Sequence, residues 1–157
     1  MFDSMKMRGH YHIEARSLCG RLLHVWEIDN MLTDINRSIR TQMLLGTYSG
    51  RFDDLHIRYF AFGAGTTPTD ITDTRLEAEI FRKQVTQITT PSAGIVRSVV
   101  SLGSLEANTT IREIGVFCGS GATDAADSGI MISRTLVNIE KNSNIVLNIV
   151  RTDTCEI

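Results

Sequence analysis

Residues 10–28, HYHIEARSLCGRLLHVWEI, alternate between apolar and polar side chains. Because successive side chains of a β-strand point to opposite faces, this alternation predicts two strands that are each buried on one face only. A two-residue turn at residues 19–20 would place residues whose numbers sum to 39 opposite each other. The opposed pairs are then Ile13 with Trp26, Tyr11 with Ile28, Ala15 with His24 and His12 with Glu27. The pattern therefore predicts an antiparallel hairpin in which Trp26 is buried and His12 is exposed.

Apolar residues recur at intervals of three and four between residues 32 and 43, which is the spacing of one helix face. They are Leu32, Ile35, Ile39 and Met43. Thr33 suits an N-cap and Gly46 suits a C-terminal stop. The sequence predicts a helix of about three turns between these two residues, packed on a sheet by its apolar stripe.

From residue 51 onward the pattern is that of short strands rich in β-branched and aromatic residues. Six strands are predicted, at residues 56–63, 80–89, 94–102, 110–117, 130–139 and 144–150. The one long connection, residues 64–79, has room for a single helical turn. The sequence thus predicts a mainly β protein, an antiparallel β-sandwich with an N-terminal β-hairpin and one packed α-helix. Residues 1–50 would form the hairpin and helix, as an arm or as part of the core, and residues 51–157 the sandwich core, together as one structural unit.

The segment TTIREIGVF, residues 109–117, places two opposite charges side by side in an apolar strand. Alternation puts Arg112 and Glu113 on opposite faces, so whichever face is buried takes one charge with it. Gly115 makes room beside Glu113 for a close neighbour, which favours the face of Glu113 as the buried one. A buried carboxylate needs a cation or several backbone donors, whereas Arg112 would meet solvent or another subunit. The candidate cations are Arg82 and Arg97. The alternative is that both charges are solvated on an edge strand.

Composition narrows the classes of function. The 157 residues include 16 basic and 18 acidic ones, for a net charge of -2, which gives no electrostatic reason to expect a nucleic acid or an anionic membrane as partner. No apolar run approaches the roughly 20 residues of a membrane span, and the first residues lack the apolar segment of a signal peptide. We therefore expect a chain made and kept in the cytoplasm, or assembled from there, with its three cysteines reduced.

Candidate chemical sites are few. His10 and His12 lie on the hairpin face opposite His24, so one metal ion cannot reach all three. GAGTTP, residues 63–68, lacks the third glycine of a dinucleotide-binding loop. Cys118 lies in a flexible CGSG turn with no histidine near it in the sequence, although a reactive thiol stays an alternative. The sequence therefore predicts no catalytic residue, no metal, no cofactor and no small-molecule substrate.

Two segments, YFAFGAGTTPTDITDTRLEAEIFRKQVTQI and ANTTIREIGVF, resemble bacteriophage tail-collar fibre and related baseplate domains. The shared pattern is a strand ending in Gly-x-Gly, a Thr/Pro-rich loop, Thr-x-Leu-x-x-Glu, a polar strand and a run of the type Thr-Ile-Arg-Glu-Ile-Gly-Val-Phe. The matching positions are Gly63, Gly65, Pro68, Thr74, Leu76, Glu79, Arg82, Thr110, Ile111, Arg112, Glu113, Ile114, Gly115, Val116 and Phe117. The resemblance covers roughly residues 57–150.

The resemblance implies a non-enzymatic structural protein of the phage tail, collar or baseplate, assembled in the host bacterial cytoplasm and carried in the virion. It implies copies of the same chain, in a ring or trimer, and other tail proteins as partners. Because the chain stops at Ile157 rather than continuing into a long fibre, we expect a short adaptor or fibre-attachment protein. The alternative is a module whose loops, residues 63–70 and 118–129, recognise a host glycan or protein, and an enzyme is the remaining class.

Overall fold

A computed structural model describes residues 6–156, and in this range the chain forms nine β-strands and one α-helix. The strands are β1 (Lys6–Ser17), β2 (Leu22–Leu32), β3 (Ile57–Gly63), β4 (Glu79–Gln84), β5 (Gln87–Ser92), β6 (Ile95–Leu102), β7 (Thr110–Cys118), β8 (Ile130–Glu140) and β9 (Ile145–Glu156), and the helix α1 is Asp34–Leu45. The strands pair antiparallel in two sheets, so the predicted mainly β sandwich with an N-terminal hairpin and one helix is confirmed.

Hydrogen bonding orders the strands β4-β3-β7-β8-β2-β1-β9-β6-β5. The first sheet contains β2, β1, β9, β6 and β5, and the second contains β4, β3, β7 and β8. Strand β2 pairs with β1 over most of its length and then, through Met31 and Leu32, with β8 of the second sheet. The segment between β4 and β5 crosses between the sheets as well. There the Val85 amide donates to the Arg58 carbonyl on β3, and the Thr86 amide donates to the Val99 carbonyl on β6. The two sheets are therefore joined by continuous backbone on both sides.

The hairpin register follows the prediction along most of its length, with Ile13 opposite Trp26 and His12 opposite Glu27. The two-residue turn is wrong, because a β-bulge at Ala15 and Arg16 shifts the last pairs and lengthens the turn. Trp26 is half-buried rather than buried, and the side chain of His12 is 40% exposed. Trp26 lies where β2 pairs with β1 alone, so one side of the indole has no strand to cover it.

The helix begins and ends as predicted. The Thr33 backbone is extended, and Gly46 is in the left-handed conformation that closes the last turn. The Thr33 hydroxyl does not cap the helix but donates to the Met131 carbonyl on β8, at 2.9 Å. The buried helix residues are Asn36 and Ile39, whereas Ile35 is 38% exposed, so the predicted stripe is wrong at Ile35.

Two other predictions need correction. Residues 80–89 are not one strand, because the chain bends at Val85 to pass from one sheet to the other. Residues 64–79 contain no helical turn, because side chains elsewhere bind their backbone amides in a non-helical course, as described below.

The main core lies between the two sheets. Tyr11 and Ile13 of β1, Phe60 and Phe62 of β3 and Ile149 of β9 are completely buried there. The Tyr11 and Phe60 rings meet edge to face with their centroids 6.1 Å apart. Since fully burying one such side chain contributes about 1.5–3 kcal/mol, the N-terminal hairpin is an integral part of the core.

Candidate functional site around Glu113

Strand β7 separates its two neighbouring charges. Glu113 is completely buried, whereas Arg112 is exposed. The prediction that the face of Glu113 is the buried one is confirmed, and the alternative with both charges solvated is wrong. A buried carboxylate requires compensation, and the protein supplies it from three directions.

Four donors surround the Glu113 carboxylate. Its Oε1 accepts hydrogen bonds from the amides of Gly65, at 3.1 Å, and Ala78, at 2.8 Å. Its Oε2 accepts from the Glu77 amide, at 3.1 Å, and from Arg134 Nε, at 2.8 Å. Because a carboxylate has about four acceptor sites, this one has no capacity left for a substrate. We refer to these five residues as the Glu113 cluster.

The cation in the Glu113 cluster is Arg134, so the predictions of Arg82 and Arg97 are wrong. Arg134 on β8 lies opposite Gly115, which puts it diagonally across from Glu113 on the same sheet face. Arg97 lies on β6 in the other sheet, and Arg82 binds Glu79 instead. The sequence offered no signal for Arg134, since its position depends on the β7–β8 register, which two irregularities shift.

Arg134 also binds the loop that precedes β4. Its guanidinium donates to the Asp73 carboxylate at 2.9 Å and to the Thr67 carbonyl at 3.1 Å, and its side chain is only 3% exposed. Burial alone would lower the pKa of Arg134, but the hydrogen bonds with Glu113 and Asp73 outweigh burial and raise it. The guanidinium therefore stays charged and ties the loop to the sheet.

Gly63 and Gly65 allow the backbone to approach this carboxylate. A Cβ on Gly65 would lie 2.5 Å from Glu113 Oε1, and a Cβ on Gly63 would lie 2.7 Å from the Ala78 carbonyl oxygen. Both distances are far below van der Waals contact. The Gly-x-Gly pattern is thus required by the geometry of the Glu113 cluster.

A second group of polar contacts is centred on Arg82. Its side chain, 3% exposed, donates through Nε and Nη2 to both oxygens of Glu79, at 2.5 and 2.8 Å. Its Nη1 donates to the carbonyls of Thr123 and Ser128, each at 3.0 Å. The guanidinium also lies over the Phe117 ring, 4.4 Å from its centroid. These contacts, the Arg82 cluster, fix the loop of residues 119–129.

An apolar cluster lies between the two polar ones. Leu76 and Phe117 pack there with Met131 and Ala61. A Cβ on Gly115 would lie 2.8 Å from Leu76 Cδ2, so that glycine makes room for the leucine. The remaining motif positions are spread more widely: Ile111 and Ile114 belong to the main core, the Pro68 carbonyl lies 3.5 Å from Arg134, and Thr74 and Arg112 are exposed.

Cys118, the thiol singled out in the sequence, is completely buried. Burial raises the pKa of the Cys118 thiol to about 12, which keeps it protonated. In the described part of the chain, no set of His, Cys, Asp and Glu side chains has the geometry of a metal site. Within the same residues, no helix has the length and apolarity needed to cross a membrane.

The hairpin histidines are paired with acids instead. The protonated His10 ring donates through Nδ1 to Asp29, at 2.8 Å, and through Nε2 to Glu27, at 2.6 Å, and the His12 ring donates to Glu27 and Glu14. These hydrogen bonds raise the pKa of both imidazoles. His24 lies apart from them, with its ring 4.4 Å from that of Trp26.

A polar cavity of about 340 Å³ opens beside the Glu113 cluster. Thr67, Thr72, Asp73 and Arg134 contribute to its wall. Its polar groups belong mostly to the loop that Arg134 and Glu113 hold in place.

The sequence matches no family model, no curated protein and no solved structure. By its fold and its site, the molecule is an antiparallel β-sandwich in which buried arginine and glutamate side chains fix two loops.

Proposed function

We propose that this protein is a non-enzymatic structural component of a bacteriophage virion. It belongs to the tail, collar or baseplate, where it acts as an assembly adaptor or fibre-attachment protein. One observation carries the proposal: most motif positions that resemble tail-collar and baseplate domains lie in or beside the Glu113 and Arg82 clusters, where they fix two exposed loops.

Loops held in one conformation are suited to a protein whose role is to bind other proteins. In the loop before β4, the Glu77 carboxylate accepts from the Thr66 amide at 2.8 Å and from the Thr67 amide at 2.9 Å, which adds to the bonds from Glu113. Binding orders the groups at an interface, and that ordering costs less free energy when the loops are already rigid. The buried charges thus support a preformed contact surface.

Self-association is part of the proposal. Strand β9 is buried on the face of Leu147 and Ile149, while its other face carries the half-buried Val146 and Val150. Arg112 is exposed on β7, where its planar fork can bind a carboxylate of a neighbouring copy. Repeated copies around a symmetry axis would turn such patches into a closed ring or trimer.

Gold-labelled antibodies against this chain, applied to purified virions of the phage that encodes it, test the location. Label within the tail, collar or baseplate is the expected result. Virions that lack the chain by mass spectrometry would overturn the proposal.

Light scattering of the purified protein tests self-association. The expected mass is a multiple of 17.5 kDa, and Arg112→Ala should reduce it without changing the melting temperature. If light scattering finds only the monomer of the wild-type chain, even when its tail partners are present, the proposed self-association is contradicted.

A second candidate function is a receptor-binding module, which the polar cavity of about 340 Å³ beside Thr67 and Asp73 favours. Hydroxyl and carboxylate groups of this kind can hydrogen-bond a glycan. Label at an exposed fibre tip, together with glycan binding that is lost in Asp73→Ala, would favour this candidate over the adaptor.

A further inference from the structure

A groove lies between helix α1 and the ends of β1 and β2 that are remote from the hairpin turn. Its volume is about 500 Å³, within the range of ligand-binding clefts. Leu32, Leu44 and Ile71 form apolar parts of the wall, and Asn30, Asn36, Arg37 and Arg40 provide its polar groups.

The groove contains unpartnered polar atoms. Asn36 is completely buried, and its Oδ1 accepts from Arg40 Nε at 2.6 Å, but its Nδ2 has no partner. Both polar atoms of the Asn30 carboxamide are buried and unpartnered as well. Only two other side-chain atoms in the described residues share this condition, Arg58 Nε and Ser98 Oγ. Since a buried polar atom without a hydrogen-bond partner destabilises the fold, their concentration here points to a missing partner.

The chemistry of these atoms identifies the partner. The Asn30 carboxamide offers a donor and an acceptor side by side, which is the complement of a peptide group. Asn36 Nδ2 offers a further donor for a carbonyl or carboxylate oxygen. Arg37, whose side chain is 68% exposed, forms an ion pair with Asp34 at 3.4 Å, and Arg40 binds Asn36 Oδ1. The two guanidinium groups thus face one carboxylate, and the net positive charge that remains suits an acidic side chain.

The groove has two smaller cavities beside it, of about 180 and 160 Å³, which also have Arg40 in their walls. Leu44 is 84% exposed at the rim, and Leu32 lies deeper, so apolar side chains can be accommodated next to the polar groups.

We propose that this groove binds an extended peptide segment of a partner protein, one that carries an acidic side chain between apolar side chains. The inference goes beyond the role in the virion and does not depend on it. It is tested on the isolated protein with peptides, whereas the virion role is tested on particles, so each can fail separately.

The experiment is an NMR titration of the ¹⁵N-labelled protein with the peptide Ac-Ser-Leu-Asp-Leu-Ser-NH₂. The side-chain NH₂ signals of Asn30 and Asn36 should shift and saturate, with a dissociation constant of about 1 mM or tighter. The matched peptide with Lys in place of Asp should bind about tenfold more weakly or not at all, a difference that corresponds to loss of one charge pair.

A charge exchange makes the test specific. Arg37→Glu should weaken binding of the Asp peptide and strengthen binding of the Lys peptide, because it reverses the charge at the groove. Since Arg37 and Asp34 are both exposed, losing their ion pair should change the stability of the fold little. Arg21→Glu, at the opposite end of the hairpin, is the control and should change neither affinity.

Three results would overturn the inference. If neither peptide shifts the two NH₂ signals, water alone satisfies the carboxamides. If both peptides give equal shifts, no acidic residue is recognised. If inorganic phosphate reproduces the shifts at the same concentration, the groove is an anion site and not a peptide site.

Discussion

Arg134 Nε on β8 lies 2.8 Å from Glu113 Oε2 on the adjacent strand β7, and each side chain is almost fully buried. Removing one partner of such a pair leaves an uncompensated charge. We expect Glu113→Ala to lower the free energy of unfolding by about 3–5 kcal/mol.

The neighbouring residue provides the control for this measurement. Arg112→Ala removes an exposed charge from the same strand and should change stability by about 0.5 kcal/mol or less. Urea unfolding of both variants tests the pair. If Glu113→Ala lowers the free energy of unfolding no more than Arg112→Ala does, the Glu113 cluster contributes no net stability.

The Gly-x-Gly segment gives a second prediction. Gly65→Ala should destabilise the fold by about 1–3 kcal/mol, since the added methyl group meets Glu113 Oε1 and the Glu77 side chain. Gly121→Ala is the matched change, because a Cβ there has open space, and it should stay within about 0.5 kcal/mol of wild type. Thermal unfolding compares the two variants. If Gly65→Ala is as stable as the wild type, the loop can move away from the carboxylate.

The Arg82 cluster should control the order of residues 119–129. The Asp127 amide donates to Glu79 Oε2 at 3.1 Å, and Arg82 holds that glutamate in place. Lysine cannot reproduce the paired bonds of the guanidinium, so Arg82→Lys should speed hydrogen exchange at Asp127 by about tenfold or more. Lys83→Arg, one position along, serves as the control and should leave that exchange rate unchanged.

The histidines of the hairpin predict a pH dependence. The pKa values of His10 and His12 are raised above their ordinary value of 6.5 by hydrogen bonds to Asp29 and Glu27. Their contribution to stability is therefore complete below about pH 6.5 and is lost as the pH rises through the folded-state pKa. The pKa of Glu27 is lowered by the same bonds, so its contribution is lost at acid pH instead.

We expect the melting temperature to fall between pH 6 and pH 8.5 in the wild type and to change less in the double variant His10→Gln, His12→Gln. Because these side chains are 43% and 40% exposed, added salt should reduce the effect. His56→Gln, an exposed histidine outside the hairpin, should keep the wild-type response. If the double variant keeps the full pH dependence of the melting temperature, groups other than His10 and His12 cause that dependence.

Local patterns predicted much of the fold. Alternation fixed the facing of Ile13 and Trp26, and the residues at the two ends of the helix, Thr33 and Gly46, marked its limits. The same reasoning identified Glu113 as the buried charge, because the room left by Gly115 is a local property of the strand.

Contacts that depend on long-range register could not be predicted. Arg134 reaches Glu113 only because the pairing of β7 with β8 contains register shifts, and no local sequence pattern predicts them. Ile35 fits a helical stripe as Ile39 does, yet the helix buries Asn36 beside Ile39 and leaves Ile35 38% exposed. Trp26 follows the strand pattern, but its exposure depends on where β2 leaves β1 for β8.

The pairing of β1 with β9 has a mechanical consequence. The two strands run antiparallel through twelve successive residue pairs, from Lys6 opposite Glu156 to Ser17 opposite Ile145. A force applied at Lys6 and Glu156 would open these bonds one after another, whereas a force applied at Lys6 and Asn144 would load them all in shear. Optical-trap pulling through these two anchor pairs should therefore give a much lower rupture force for the first, so the direction of load would decide how firmly this sheet resists it.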